Sequence, residues 1–466
     1  MSLPDFNTYQ SPFTWRYGSP EMRQVWSEVN KRRLWRQIWV ALAQVQSEYG
    51  LVSPQQVEEL RQQAASVDVA RALQIEAEIH HDLMAELKTF AEQCPAAGGI
   101  LHLGATSTDI EDNADVLRLH QSLHILRDGL ADLLGMLADR IEAWADTPLM
   151  AFTHLQPAEP TTLGYRLCGC AQDLLADWHL LGDLQRSLHG KGFKGAVGTA
   201  AAYVHLLGEA QFGGFEKRLS ELLDLPFFPV TTQTYPRRQD YQVISALAGM
   251  GASLYKFAFD LRLLQSPGIG ELAEPFGSRQ VGSSAMPFKR NPILAEKIDS
   301  LGRLLAVYPQ VAWQNAAHSL LERTLDDSAN RRSLLPETCL VSDELLITAR
   351  RILQGLEVHP ALMQRNLQAY APFAATERVL MALVQAGADR QAMHARLREL
   401  SLQAWQAVQQ GQPNPLESLV AADGEITALV PRSELQQYFD VQTYTGIAPR
   451  AAGELAARIK AEVIGS

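Results

Sequence analysis

Residues 116–137 read "VLRLHQSLHILRDGLADLLGML", and the spacing of their apolar side chains decides the fold class. Val116, Leu119, Leu123, Leu126, Leu130, Leu133 and Leu137 follow one another at intervals of 3, 4, 3, 4, 3 and 4. A strand would alternate at every second residue. A repeat near 3.5 instead lines all these side chains along one stripe of a long helix that wraps left-handed around partners. Thr108 and Glu111 have the types and spacing of a capping box that would start it. Thr147 and Pro148 would end it.

The same signal recurs downstream. A second seam runs through Leu163, Leu167, Cys170, Leu174, Trp178, Leu181, Leu184 and Leu188, and a third through Ile244, Leu247, Gly251, Leu254, Ala258, Leu261 and Gln265. Ile298, Leu301 and Leu305, then Leu335, Val341, Leu345 and Ile352, extend the pattern. Both ends of the chain hold shorter amphipathic pieces, and alternating strand patterns are scarce. The expectation is an all-α protein: an N-terminal helical domain over 1–106, a central long-helix bundle over 107–358 and a C-terminal helical domain over 359–466. Small seam residues such as Gly251 and Ala258 suit close packing against further copies of the chain, with a monomeric bundle as the alternative.

Composition narrows the function. The 466 residues are 47% hydrophobic and 20% charged, with net charge −11, which argues against a nucleic-acid partner. Cys94, Cys168, Cys170 and Cys339 match no zinc spacing and read as buried thiols. No uninterrupted apolar run is long enough to span a bilayer, and "MSLPDFNTYQ" has no signal architecture, so a cytoplasmic protein is expected.

Polar residues gather in the connections. "HHD" supplies His80, His81 and Asp82, and "GATSTD" supplies Thr106 and Ser107. "THLQP" carries His154, "TTQTYPRRQD" carries Gln233, and "LERTLDDSANRR" carries Arg323, Ser328 and Arg332. Residues 282–292, "GSSAMPFKRNP", interrupt the helical pattern with Ser283, Lys289 and Asn291 and have no periodicity. Taken singly these are caps, surface histidines or solvated ion pairs. "HHD" lacks the i, i+4 histidine pair of a helical zinc site, so no metal or other cofactor is expected.

Together the islands resemble the fumarase/aspartase superfamily, whose signature loop is Gly-Ser-Ser-x-Met-Pro-x-Lys-x-Asn-Pro. "GATSTD" and "THLQPAEPTT" stand in the expected order before it. "SPFTWRYGSPEM", "HHDLMAEL", "TLDDSANRR" and "PFAATERVLM" are similar to the animal-type branch of the adenylosuccinate lyases, and the resemblance covers almost the whole chain. It implies β-elimination of fumarate from adenylosuccinate, giving AMP, and from the succinyl-carboxamide ribotide SAICAR, giving AICAR. It also implies a homotetramer with active sites shared between subunits.

That chemistry removes a proton from carbon beside an ionised carboxylate while a nitrogen departs. The resemblance makes Ser283 the general base, His154 the general acid and Glu296 the carboxylate that orients His154. Lys289 and Asn291 would hold the succinyl carboxylate, with Thr106, Ser107 and Gln233 as further donors. His81 would stand near the phosphate and the reacting atoms, flanked by His80 and Asp82. Arg16, Tyr17, Arg323, Ser328 and Arg332 would bind the nucleotide. A free serine is a poor base, so Ser283 must gain oxyanion stabilisation from loop amides or cations. Two residues depart from the branch: His80 stands in place of Arg or Lys, and Lys297 in place of a substrate-contacting Arg. Altered nucleotide affinity or a changed ratio between the two substrates is the expected consequence. Argininosuccinate lyase is the nearest rival, and the phosphate-binding "ERTLDDSANRR" argues against it. A scaffold without turnover is the other alternative, and the retained His81, His154, Ser283, Lys289 and Glu296 argue against that.

Overall fold

Each of the seven side chains of the 116–137 seam is at most 1% exposed in a computed structural model of the chain. It describes residues 6–440, 442 and 444–465. The expectation that "MSLPDFNTYQ" carries no signal architecture falls partly on residues 1–5, which lie outside the described residues. Four long helices carry the seams: α1 (Ser107–Ala143), α2 (Leu163–Ser187), α3 (Arg238–Leu264) and α4 (Asp326–Gln354). Among the described residues the chain is all-α apart from two small two-stranded sheets. None of the four cysteines is in a disulfide; three are buried and Cys170 is half-buried.

The start of α1 differs from expectation. Its cap is the Asp109 carboxylate, which accepts the Thr106 N–H at 3.0 Å, while Thr108 and Glu111 lie inside the helix. The Thr108 hydroxyl finds a buried partner elsewhere, the Gln233 carbonyl, and Glu111 faces a cavity. Gly251 also serves a purpose other than the one expected. A Cβ there would come within 2.8 Å of Leu305 Cδ2, so its smallness lets α3 approach the helix Ile293–Leu305 of the same chain. Pro336 interrupts the α4 ladder without ending the helix and leaves the Arg332 carbonyl without its usual donor.

The 148–162 connection is a β-hairpin rather than a loop. β1 (Pro148–Thr153) pairs antiparallel with β2 (Gln156–Thr162), Thr153 opposite Gln156. The two-residue tip is His154–Leu155, with φ of 54° and 58°. Such a turn normally takes Asn-Gly, because both positions need a left-handed backbone. A histidine and a leucine held there carry strain, of order 1–3 kcal/mol per residue.

The chain forms two compact units. Unit 1 comprises Met1–Leu130, Ala176–Ala252 and Ser300–Ile347. Its core joins Trp39, Leu42, Phe90, Phe193, Tyr203 and Phe215. Within it the buried Glu86 accepts Arg32 at 3.1 Å and Arg36 at 2.6 Å, fixing the helix Asp82–Gln93 against the helix Glu28–Glu48. Unit 2 comprises Ala131–Leu175, Ser253–Asp299 and Thr348–Ser466. There Met150 of the hairpin packs on Leu367 and Ala371 of the helix Pro360–Gln385.

Candidate active site

Unit 1 holds one set of polar groups around a cavity of about 150 Å³. Asp82, Arg323, Ser328 and Arg332 of the expected site line it, together with Glu111, Asp112, Asp115 and Arg331. Arg332 meets Asp82 at 2.8 Å, and Arg323 meets Asp327 at 2.8 Å. Burial works to raise the Asp82 carboxyl, but the adjacent Arg332 overrides it and holds the group below the usual range. Glu111 goes the other way. Burial first, then the neighbouring Asp82, Asp112 and Asp115, push it up to about 8, with Arg332 opposing. The cavity is therefore lined by arginines that are already counter-ionised and by one carboxyl that is neutral near pH 7.

His81 sits beside this wall as the N-cap of the helix Asp82–Gln93. Its Nδ1 accepts the Met84 N–H at 3.4 Å, and its Nε2 lies 3.4 Å from Ser107 Oγ. With Nδ1 accepting, the proton belongs on Nε2 and points toward Ser107. The contact joins "HHD" to "GATSTD", and Thr108 joins "GATSTD" to Gln233 through the Gln233 carbonyl.

The other unit 1 residues stand apart from the cavity. His80 has a left-handed backbone, φ 56°, and lines a shallow groove with Leu73, Glu76 and Ala77. The Arg16 guanidinium lies over Trp15 at 5.5 Å, and the Tyr17 ring lies 5.8 Å from Phe13. Their segment is tethered to α4: Gly18 N–H donates to Glu344 at 2.9 Å and Ser19 N–H to Asp343 at 2.6 Å.

Unit 2 holds the signature loop and the hairpin tip. Ser283 Oγ accepts two backbone N–H groups, from Ala285 at 3.3 Å and Met286 at 3.1 Å. Asn291 Nδ2 donates to the Gly282 carbonyl at 3.0 Å, closing the loop on itself. Lys289 is exposed, and its N–H donates to the Met286 carbonyl. The loop ends where the buried Glu274 carboxylate accepts Leu294 N–H at 3.0 Å and Ala295 N–H at 2.9 Å, capping the helix Ile293–Leu305. Lys297 is half-buried on that helix, and Glu296 pairs with Arg262 at 3.8 Å. The ion pair of Glu296 within the chain is thus with Arg262, while His154 stands exposed at the hairpin tip.

Sequence reasoning passed over two features. One is Glu111, read as part of a cap. The other is the buried Lys191–Asp109 pair, whose lysine lies in "HGKGFKGAVGTAAAY", read only as a connection. A lysine among glycines was the available signal.

Comparison with known proteins gives a consistent pattern. A family described as "Lyase" matches residues 17–304, and one described as "Adenylosuccinate lyase C-terminus" matches residues 372–454. The chain is 38% identical over 456 residues to adenylosuccinate lyase of Saccharomyces cerevisiae, covering 96% of this chain and 94% of that one. It is 41% identical over 412 residues to adenylosuccinate lyase of Schistosoma mansoni, covering 86% and 85% respectively. Among solved structures it is similar to the 3-carboxy-cis,cis-muconate lactonizing enzyme from Pseudomonas putida, with TM-score 0.84 and 27% identity over 96% of this chain and 99% of that one.

Proposed function

Because the chain belongs to the adenylosuccinate lyase family, we propose that it eliminates fumarate from adenylosuccinate, giving AMP, and from SAICAR, giving AICAR. The observation that carries the catalytic assignment is the pair of amides on Ser283 Oγ. A serine hydroxyl becomes a base only when its anion is stabilised, and two N–H donors already aimed at the oxygen supply that without reorganisation. Ser283 takes the proton from the carbon next to the succinyl carboxylate. Lys289 adds the positive charge that spreads the resulting dianion, and Asn291, which also closes the loop on the Gly282 carbonyl, helps hold the succinyl carboxylate.

His154 protonates the departing nitrogen. An imidazole can carry a proton and hand it to the nitrogen as the bond breaks. Its place at a strained, exposed hairpin tip supports this role, since left-handed non-glycine residues concentrate where geometry serves function. Thr106 and Ser107 hold the succinyl carboxylates with Gln233, and His81, in contact with Ser107, stands near the phosphate and the reacting atoms. Adenylosuccinate carries roughly four negative charges at pH 7. Arg323, Ser328 and Arg332, with Arg16 and Tyr17 from the N-terminal segment, receive the phosphate end, where forked guanidinium contacts suit its oxygens. His80 and Lys297 tune nucleotide affinity and the balance between the two ribotides.

In this reading neighbouring subunits of a homotetramer complete each site. Glu296 then reaches the His154 of another copy. Exposed second seams support the assembly. On α2, Tyr165, Gly169, Gln172, Ala176 and His179 are exposed at intervals of 4, 3, 4 and 3. On α3, Gly249, Ala252, Lys256, Phe259 and Leu263 are exposed at 3, 4, 3 and 4. A 3.5-residue stripe left on the surface, here mostly small or aromatic with Gln172, Lys256 and Leu263 among them, is the spacing that a helix presents to a neighbouring helix. The division into an N-terminal domain, a central bundle and a C-terminal domain belongs to the same reading.

The test is direct. Purified protein is incubated with adenylosuccinate and, separately, with SAICAR, while fumarate and the ultraviolet spectrum of the base are followed. Turnover of both, abolished by Ser283→Ala and by His154→Ala, is expected. A folded wild type that releases no fumarate from either would refute the proposal.

A further inference from the structure

We infer that Thr108 is a positioning residue for the succinyl half of the substrate, acting through a buried relay that ties the carboxylate-binding segments together. The inference rests on the function proposed above.

The relay is built from three stretches of unit 1. Lys191 and Asp109 are both fully buried and ion-paired to each other. Lys191 Nζ also donates to Thr108 Oγ1 at 3.2 Å and to the Gly195 carbonyl at 2.9 Å. The Thr108 hydroxyl in turn donates to the Gln233 carbonyl at 2.5 Å. On its other side Asp109 accepts the N–H groups of Thr106 at 3.0 Å and Gly195 at 3.2 Å, and the Tyr203 hydroxyl at 3.3 Å. One buried ion pair therefore sets the backbone of Thr106 directly and that of Gln233 through a single hydroxyl. The glycine-rich stretch that supplies Lys191 is itself fitted to the 231–233 segment. Gly198 has φ +83°, and a Cβ there would lie 2.0 Å from the Thr231 carbonyl oxygen.

The arrangement has a direction. Thr106 and Gln233 flank the expected succinyl carboxylates, whereas Arg323, Ser328 and Arg332, expected at the phosphate, line a cavity whose wall Thr108 shares. The Thr108 hydroxyl is spent inside the wall, receiving from Lys191 and giving to Gln233. Removing it uncouples the Gln233 carbonyl from Thr106, while the Gln233 N–H still donates to the Glu322 carbonyl at 3.0 Å and Arg323 and Arg332 keep their own carboxylate partners. A donor displaced by a fraction of an ångström from an oxyanion loses much of its worth.

Thr108→Val keeps the side-chain shape and deletes the hydroxyl. Calorimetry on the full-length variant is expected to show fumarate binding about tenfold weaker, with AMP binding within about twofold of wild type, since one charge-assisted contact corresponds to roughly that factor. Thr108→Ser restores the hydroxyl and is expected to restore fumarate binding. If Thr108→Val proves unstable, Lys191→Arg, which keeps the charge on Asp109 but moves the donor, is expected to show the same split. Equal weakening of fumarate and AMP, no weakening of either, or failure of Ser to rescue would overturn the inference. Because these are binding measurements, they read the relay separately from turnover: a wild type that binds both ligands yet releases no fumarate counts against the function and not against the relay.

Discussion

Replacing Glu111 by Gln should stabilise the protein at alkaline pH and leave its stability nearly unchanged at acid pH. Burial and the adjacent Asp82, Asp112 and Asp115 raise this carboxyl from an ordinary 4.5 to about 8. Between those values the folded protein holds a proton that the unfolded chain releases, so wild-type stability falls as pH rises through the window and levels off above it. At about 1.4 kcal/mol per unit the displacement is worth at most roughly 5 kcal/mol. The side chain is only half-buried and faces a cavity that solvent enters, which brings the expected effect to about 2 kcal/mol. Gln has no proton to lose, so its advantage over wild type should grow from below about 0.5 kcal/mol at pH 5 to about 2 kcal/mol at pH 9. Asp82, Asp115 and Asp327 are held below their ordinary values and contribute stability that is lost only at more acid pH. Denaturant titrations of both proteins at pH 5, 7 and 9 isolate the term. An advantage for Gln that is equal at pH 5 and pH 9, or a wild type more stable at pH 9, would refute the reasoning.

Other perturbations probe other parts. In Gly282→Ala the new Cβ would sit 2.1 Å from the Lys289 carbonyl oxygen, so the signature loop must open; kcat/KM should fall at least about 100-fold with Tm nearly unchanged, because the loop is exposed and carries little of the core. Arg332→Gln breaks the pair with Asp82 and should raise KM for adenylosuccinate by roughly 10–100-fold while leaving kcat close to wild type, since it removes a contact distant from the breaking bond. Glu86→Gln leaves Arg32 and Arg36 without their buried counter-ion and should cost about 3–5 kcal/mol in denaturant titration.

The long helices were legible because a 3.5-residue seam of leucines has no other comfortable conformation. The hairpin was not. Its tip is His-Leu rather than Asn-Gly, and Pro157 and Pro160 speak against a strand, so only the packing of Met150 on Leu367 and Ala371 makes sense of it. The exposed seams of α2 and α3 are written partly in Gly, Ala and Gln, which carry almost no hydropathy signal. At the site, the chemistry-bearing loop could be read because Ser, Lys and Asn stand where a helix should be. Its internal geometry, with Ala285 and Met286 amides on Ser283, depends on dihedral angles that no composition reveals. The Lys191–Asp109–Thr108 relay was invisible for another reason. It joins residues more than 80 positions apart, and a buried lysine reads in sequence like a solvated one.

The measurement that tests the central claim most directly is complementation between two inactive variants. His154→Ala and Ser283→Ala are prepared separately, shown to lack activity, then mixed, dissociated and reassociated, with mixed assemblies confirmed by native mass spectrometry. If each site draws its acid and its base from different copies, about a quarter of the sites in an equimolar random mixture carry both groups, and fumarate release should return to about that fraction of wild type. Mixed assemblies that stay as inactive as the two parents would contradict the account.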